Sequence, residues 1–128
     1  MIFDSDVLIW FLREEPDAVT LIEASPDRAI SIITLMEAVQ GSRSKAHMRT
    51  ILDLFAASGF GILPFSESIG HLASGLIEEH TLAHGLQMPG ALIAATAIEA
   101  GEVLATANRR HFRPIRRLAL KPFHPRRT

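Results

Sequence analysis

The opening stretch, Met1-Ile2-Phe3-Asp4-Ser5-Asp6-Val7-Leu8-Ile9, constrains the fold more than any other part of the chain. It is apolar from its first residue and then interrupts itself with two carboxylates. A short apolar run opening an α/β chain reads as a strand buried in a parallel sheet. In such sheets ligands collect just beyond the carboxyl ends of the strands, and Asp4 stands at that edge. Asp4 or Ser5 also suits the cap of a helix running through Val7 to Leu12, so the acid has a purely structural explanation too.

The rest of the chain alternates short apolar runs with amphipathic stretches. Residues 29–33 form a β-branched apolar run, the expected second strand. Thr34 and Glu37 follow at capping-box spacing, opening a helix through Val39. That helix leaves the same strand edge as Asp4, which would bring Glu37 near it. Residues 61–65 read as a strand whose Pro64 marks its end or an edge position. Residues 103–106 read as a further strand and 118–120 as a candidate edge strand.

Between the strands lie the helical patterns. Residues 17–24 form a short amphipathic helix. Met48, Ile51, Leu52 and Phe55 give helical spacing stopped by Gly59. Ile69, Leu72, Ala73, Leu76, Ile77 and His80 recur at steps of three and four, the clearest periodicity in the chain. Residues 89–98 are apolar on all sides and so should be buried, with Pro89 at the start and Gly101 at the stop. Strands alternating with helices predict a parallel sheet covered by helices.

With 128 residues, nearly half of them hydrophobic, the chain can bury a core as a single domain. It has no cysteine, which excludes disulfides, thiolate metal sites and a thiol nucleophile. No secretory signal is visible and the early apolar run is too short to span a bilayer, so a cytoplasmic protein without membrane attachment is expected. The net charge of -1 hides an asymmetry. Eight basic residues and no acid follow position 108, leaving five basic residues against all 14 acids in the preceding body. A basic C-terminal tail from about 109 beside an acidic body suggests a polyanionic partner, although a solvated terminus would look the same. His80 and His84 are one helical turn apart, but no glutamate base and no third ligand accompany them. A partly buried or surface histidine pair is the better reading. His47, His71, His111 and His124 are scattered and carry no assigned chemistry.

Three stretches taken together resemble a PIN domain, and specifically the VapC-type toxin of a bacterial toxin–antitoxin pair. They are Ile2-Phe3-Asp4-Ser5-Asp6-Val7-Leu8-Ile9, then Ser31-Ile32-Ile33-Thr34-Leu35-Met36-Glu37, and then Met88 through Phe112. The last holds Ala91-Leu92-Ile93-Ala94-Ala95-Thr96-Ala97 and Leu104-Ala105-Thr106-Ala107-Asn108-Arg109-Arg110-His111-Phe112. The resemblance implies one PIN-like domain over 1–128, a three-layer α/β/α sandwich around a central parallel sheet. It implies acids at the carboxyl edge that bind Mg²⁺ or Mn²⁺, RNA as substrate, a cognate antitoxin protein as partner, and a homodimer. Asp4 and Glu37 match two of the family's acids, Asn108 a position that is Asp or Asn, and Asp6 a variable polar position near the metal. One position departs. Where the family has Asp directly after the proline, this chain has Gly90, so a metal ligand is missing from the set Asp4, Asp6, Glu37 and position 90.

The first expectation is therefore a divalent-metal-dependent endoribonuclease, with Asp4, Glu37 and Asn108 as catalytic residues and its activity in question at Gly90. Arg109, Arg110 and the basic tail would hold the RNA backbone. The alternative is a catalytically inactive PIN-fold module that binds RNA or an antitoxin. A phosphate-accepting receiver domain also pairs acids after its first strand. It needs another Asp on the third strand and a Lys on the last, and neither Lys45 nor Lys121 is well placed.

Overall fold

A computed structural model describes residues 1–125. Arg126 and Arg127, the last two members of the basic run, lie outside the described residues. Five short strands form one sheet: β1 (Ile2–Phe3), β2 (Ala29–Ser31), β3 (Gly61–Leu63), β4 (Leu104–Thr106) and β5 (Leu120–Pro122). Their order is β3-β2-β1-β4-β5 and every pairing is parallel. The register sets Ile2 opposite both Ala29 and Leu104, so β1 is the central strand. From β1 the chain builds outward to β2 and β3, then returns to the other side for β4 and β5. The crevice between β1 and β4 is thus the point where strand order reverses, the position at which open α/β sheets bind ligands.

Alternation along the strands explains the layers. Ile2 and Leu104 face one side, where they pack with residues of α5 (Glu67–His84) and α6 (Met88–Ala100). Phe3 and Ala105 face the other, against α1 (Ser5–Leu12), α2 (Pro16–Glu23) and α4 (Lys45–Ala57). Successive side chains of a strand point to opposite faces, so each residue of these short strands serves one layer or the other. The result is the α/β/α sandwich expected from the sequence.

Helix α6 is buried from Ala91 to Ala97 except at Leu92, in keeping with its apolar circumference, and it ends at Gly101 in the left-handed conformation (φ 65°). Only the lack of a Cβ makes that conformation inexpensive. The edge strand expected near 118–120 forms two residues later and pairs with β4.

The second strand is shorter than its β-branched composition suggests. Strand β2 stops at Ser31, and Ile32, Ile33 and Thr34 form the first turn of α3 (Ile32–Gln40). Ser31 is the cap, its hydroxyl accepting from the Ile33 N–H at 3.2 Å. Tertiary placement overrides local β propensity here. The capping box expected at Thr34 and Glu37 does not form. Thr34 is buried inside the helix, and Glu37 lies in its second turn, free to bond elsewhere.

Candidate active site

Asp4 follows β1 directly. Its N–H donates to the Ala105 carbonyl of β4 at 2.9 Å, and its backbone then turns into α1, of which it is the cap. Its carboxylate has both oxygens engaged. Oδ1 accepts from the Ser5 N–H at 2.8 Å, and Oδ2 accepts from the Thr106 hydroxyl at 2.7 Å. Capping and cleft-lining are therefore one role for this residue, not two competing ones.

The neighbouring strand end is tied into the same group. Asp6, on the first turn of α1, accepts the Ala107 N–H through Oδ2 at 3.1 Å. The Thr106 hydroxyl lies 3.4 Å from that oxygen but has only one proton, which the shorter contact to Asp4 takes. The hydroxyl also accepts the Asn108 N–H at 3.0 Å. From the far side, Glu37 Oε1 accepts the Ser5 hydroxyl at 2.8 Å. Asp4, Asp6, Glu37 and Asn108 thus line one cleft of about 430 Å³ together with Gly90. Every residue expected at the site from the sequence is there except the two arginines, which stand outside it.

The electrostatics of this wall are unfavourable without a counter-charge. Burial first, and then the Asp6 carboxylate, push the Asp4 carboxyl up from 3.8 to about 6, against the Thr106 and Ser5 hydrogen bonds that pull it down. Burial also raises Asp6, opposed chiefly by the Ala107 N–H. Asp6 Oδ1 is buried and has no hydrogen-bond partner among the described residues. A buried carboxylate oxygen left unpaired costs free energy that a cation could offset. Among the described residues no three His, Cys, Asp or Glu side chains are grouped to hold an ion. The carboxylates present fit a hard cation that keeps several waters, since such ions take as few as one or two carboxylates.

The opposite wall belongs to the start of α6 and is different in kind. It presents Leu86, Gln87, Pro89, Gly90 and Ile93, with Phe112 beside them, so that Gln87 is its one polar side chain. The first turn of α6 contains no acid, and no side chain caps it. Nothing in the backbone requires glycine at position 90, because its φ is not positive. A Cβ there would meet Leu86 Cδ1 at 3.4 Å and Phe112 Cζ at 3.5 Å, ordinary contact distances. Room for a Cβ exists, so packing does not demand glycine at the position where the resemblance expects an acid.

Four polar residues carried no functional assignment from the sequence: Ser5, Gln87 and His111 line the cleft, and the buried Thr106 lies behind it. Ser5 and Thr106 bridge the acids; both stand where an apolar strand gives way to polar residues at the carboxyl edge, a signal that could have marked them. His111 lies on the short helix α7 (Arg109–Phe112), capped by Asn108. Asn108 Oδ1 accepts the His111 N–H at 3.3 Å and its amide donates to His111 Nδ1 at 3.0 Å, so Nδ1 is an acceptor. The His80–His84 pair stands apart from all this. His80 is buried with Nδ1 unpartnered among the described residues, His84 is exposed, and their ring centroids are 5.6 Å apart.

A parallel sheet with buried acids at its reversal point defines a class of α/β proteins whose ligands bind beyond the carboxyl ends of the strands. Comparison narrows the class. A model of the PIN domain matches residues 1–118, and the chain belongs to the PIN domain family. It is similar to a chain of a toxin–antitoxin complex from Klebsiella pneumoniae, with 30% identity and a TM-score of 0.78 over 96% of this chain and 98% of that one. It is also similar to a chain of VapBC2 from Rickettsia felis bound to a promoter DNA fragment, at 26% identity and a TM-score of 0.77, covering 97% and 100%. A DNA-bound VapBC from Salmonella typhimurium, 21% identical with a TM-score of 0.79 over 94% and 96%, shares the fold. No protein of curated function matches the chain by sequence. No helix among the described residues is long and apolar enough to cross a membrane.

Proposed function

We propose that this chain is the toxin of a toxin–antitoxin pair, a divalent-metal-dependent endoribonuclease by design whose site lacks one acid at position 90. The observation that carries the reading is the convergence of Asp4, Asp6, Glu37 and Asn108 on one cleft, cross-tied through Ser5 and Thr106, at the β1–β4 crevice. Mg²⁺ or Mn²⁺ would be held by one or two of the carboxylates of Asp4, Asp6 and Glu37, with waters filling the rest of its shell. When bound it would acidify a water and offset charge on the phosphodiester. The chain's own groups do the rest. Thr106 fixes the Asp4 carboxylate, Ser5 fixes Glu37, and Asn108 presents a locked amide at the rim. In a cytoplasmic setting a cognate antitoxin would cover this acidic cleft with a basic side chain, and a homodimer would be the assembled toxin.

Gly90 also favours a second reading, an inactive module that retains RNA or antitoxin binding, because no three-ligand group is present among the described residues. One experiment separates the two. RNA cleavage is measured for the Gly90 chain and for Gly90→Asp, each with and without Mg²⁺ or Mn²⁺. The nuclease reading expects metal-dependent cleavage, raised at least about 100-fold by the restored acid, beyond what loss of an outer-shell partner usually costs. Absence of cleavage by both versions, with RNA or antitoxin still bound, establishes the binding module. Equal cleavage by both would show that position 90 is not a needed ligand.

A further inference from the structure

The basic run from position 109 is, through Pro122, part of the folded body. Residues 107–119 form the connection from β4 to β5, and that connection is anchored. Phe112, Ile115 and Leu118 are 2%, 3% and 8% exposed and pack into the α5–α6 side of the core. Between these anchors stand Arg109, Arg110, Arg113, Arg116 and Arg117, all exposed. None of the five makes a side-chain hydrogen bond or ion pair with another described residue. The chain has fourteen acids, yet among the described residues none of them pairs with these five guanidinium groups, which stand on a segment anchored by Phe112, Ile115 and Leu118.

The one-turn helix α7 divides its faces sharply. Asn108, His111 and Phe112 line the acid cleft, whereas Arg109, Arg110, Arg113 and Pro114 line a separate shallow hollow of about 520 Å³. The two sites therefore lie back to back across a single helix, roughly 10 Å in diameter with its side chains. Guanidinium groups bind phosphate through paired donors, and rigid presentation lowers the entropy lost on contact.

We propose that Arg109, Arg110 and Arg113, continued by Arg116 and Arg117, form a backbone-binding ridge for single-stranded RNA leaving the acid cleft over α7. The proposal rests on the nuclease reading for its substrate but not for its chemistry. The ridge binds phosphodiesters by charge, independently of metal and of the residue at position 90. It contributes affinity and direction to the strand and no sequence choice.

The test uses the full chain, a fluorescent single-stranded RNA oligonucleotide and EDTA, so that only binding is read. Affinity is measured across a salt series for the parent, for the triple variant R109Q/R110Q/R113Q, for its Arg→Lys counterpart, and for R43Q/R49Q on exposed positions elsewhere. Each phosphate contact contributes about 0.7 to the slope of log affinity against log salt for single strands, so the triple variant should lose about 2 from the slope. The lysine variant should keep most of the slope, R43Q/R49Q all of it, and all four proteins should melt at the same temperature. An unchanged slope in the triple variant overturns the ridge, as does an equal loss in R43Q/R49Q, and so does failure of the parent to bind RNA. If the triple variant binds RNA normally but no longer co-purifies with the protein encoded beside it, the ridge is a protein-docking surface and the proposal is wrong. RNA binding that depends on the ridge without any cleavage would fail the nuclease reading alone. Metal-dependent cleavage with an unchanged slope would fail the ridge alone.

Discussion

The two walls of the cleft were built by opposite means. On the β1–β4 side, three carboxylates are held by the Ser5 and Thr106 hydroxyls and the Ser5 and Ala107 backbone amides, and burial makes the charges of Asp4 and Asp6 costly. On the α6 side, the same cleft meets an uncapped helix start with a mostly apolar lining, no charged side chain and a glycine. The acid wall carries unfavourable electrostatics that a bound cation or a proton on Asp4 relieves. The α6 wall carries none, and the partial positive charge at a helix N-terminus makes it the more hospitable place for one further acid. The carboxylate that the resemblance expects at position 90 would thus stand on the wall where it costs least on its own and most through its neighbours across the gap.

Adding it gives the largest expected effect. In Gly90→Asp, replacing a helical glycine and placing an acid near the helix start both favour folding. Repulsion from Asp4 and Glu37 opposes them, and without metal we expect repulsion to prevail, so the variant melts below the parent. With Mg²⁺ or Mn²⁺ the order should reverse, because an ion bound only by the folded site adds about 2.7 kcal/mol at one hundred times its Kd. Melting temperatures of both proteins with and without metal test this; an order that metal does not change breaks the comparison between the walls.

The second effect is a pH dependence confined to the acid wall. Because the folded Asp4 carboxyl sits near 6 rather than 3.8, the folded state holds the proton more tightly than the unfolded chain. That contribution to stability is fully present below 3.8 and is lost as pH rises through 6. In the metal-free protein it should amount to on the order of 2–3 kcal/mol. Asp4→Asn should lack this part of the fall between pH 4 and 7, whatever its absolute stability. Parallel curves for parent and variant would place the strain elsewhere.

A smaller loss is expected at Thr106. Thr106→Val keeps the shape but removes the hydroxyl that donates to Asp4 and accepts from Asn108. Two polar groups are left short of a partner, a cost of about 1–3 kcal/mol in chemical denaturation at pH 7. No change would mean that water substitutes for the hydroxyl. The smallest effect should come from Ser5→Ala, which frees Glu37 for roughly 1 kcal/mol, since Glu37 is only half-buried and can reach solvent. A larger loss at Ser5 than at Thr106 would invert the picture of which bridge is the interior one.

Some of this was legible from residue order alone. Hydrophobic periodicity is a local property, so the apolar strands, the fully buried α6 and the stop at Gly101 could be read directly, as could the position of Asp4, Glu37 and Asn108 at strand ends or the helices leaving them. The resemblance then supplied the departure at Gly90. What local pattern could not supply was which polar atom meets which. Thr106 bonds Asp4 across 102 positions only because β4 pairs with β1, and strand order is a product of long-range burial. The same holds for Ser5 and Glu37, 32 positions apart, and for the start of α3, where Ser31 caps a helix through residues whose own preference is for strand. It holds also for the arginines: their number was evident from the sequence, but only the burial of Phe112, Ile115 and Leu118 turned a basic run into a fixed ridge, because apolar anchoring, unlike charge, needs a core to be anchored in.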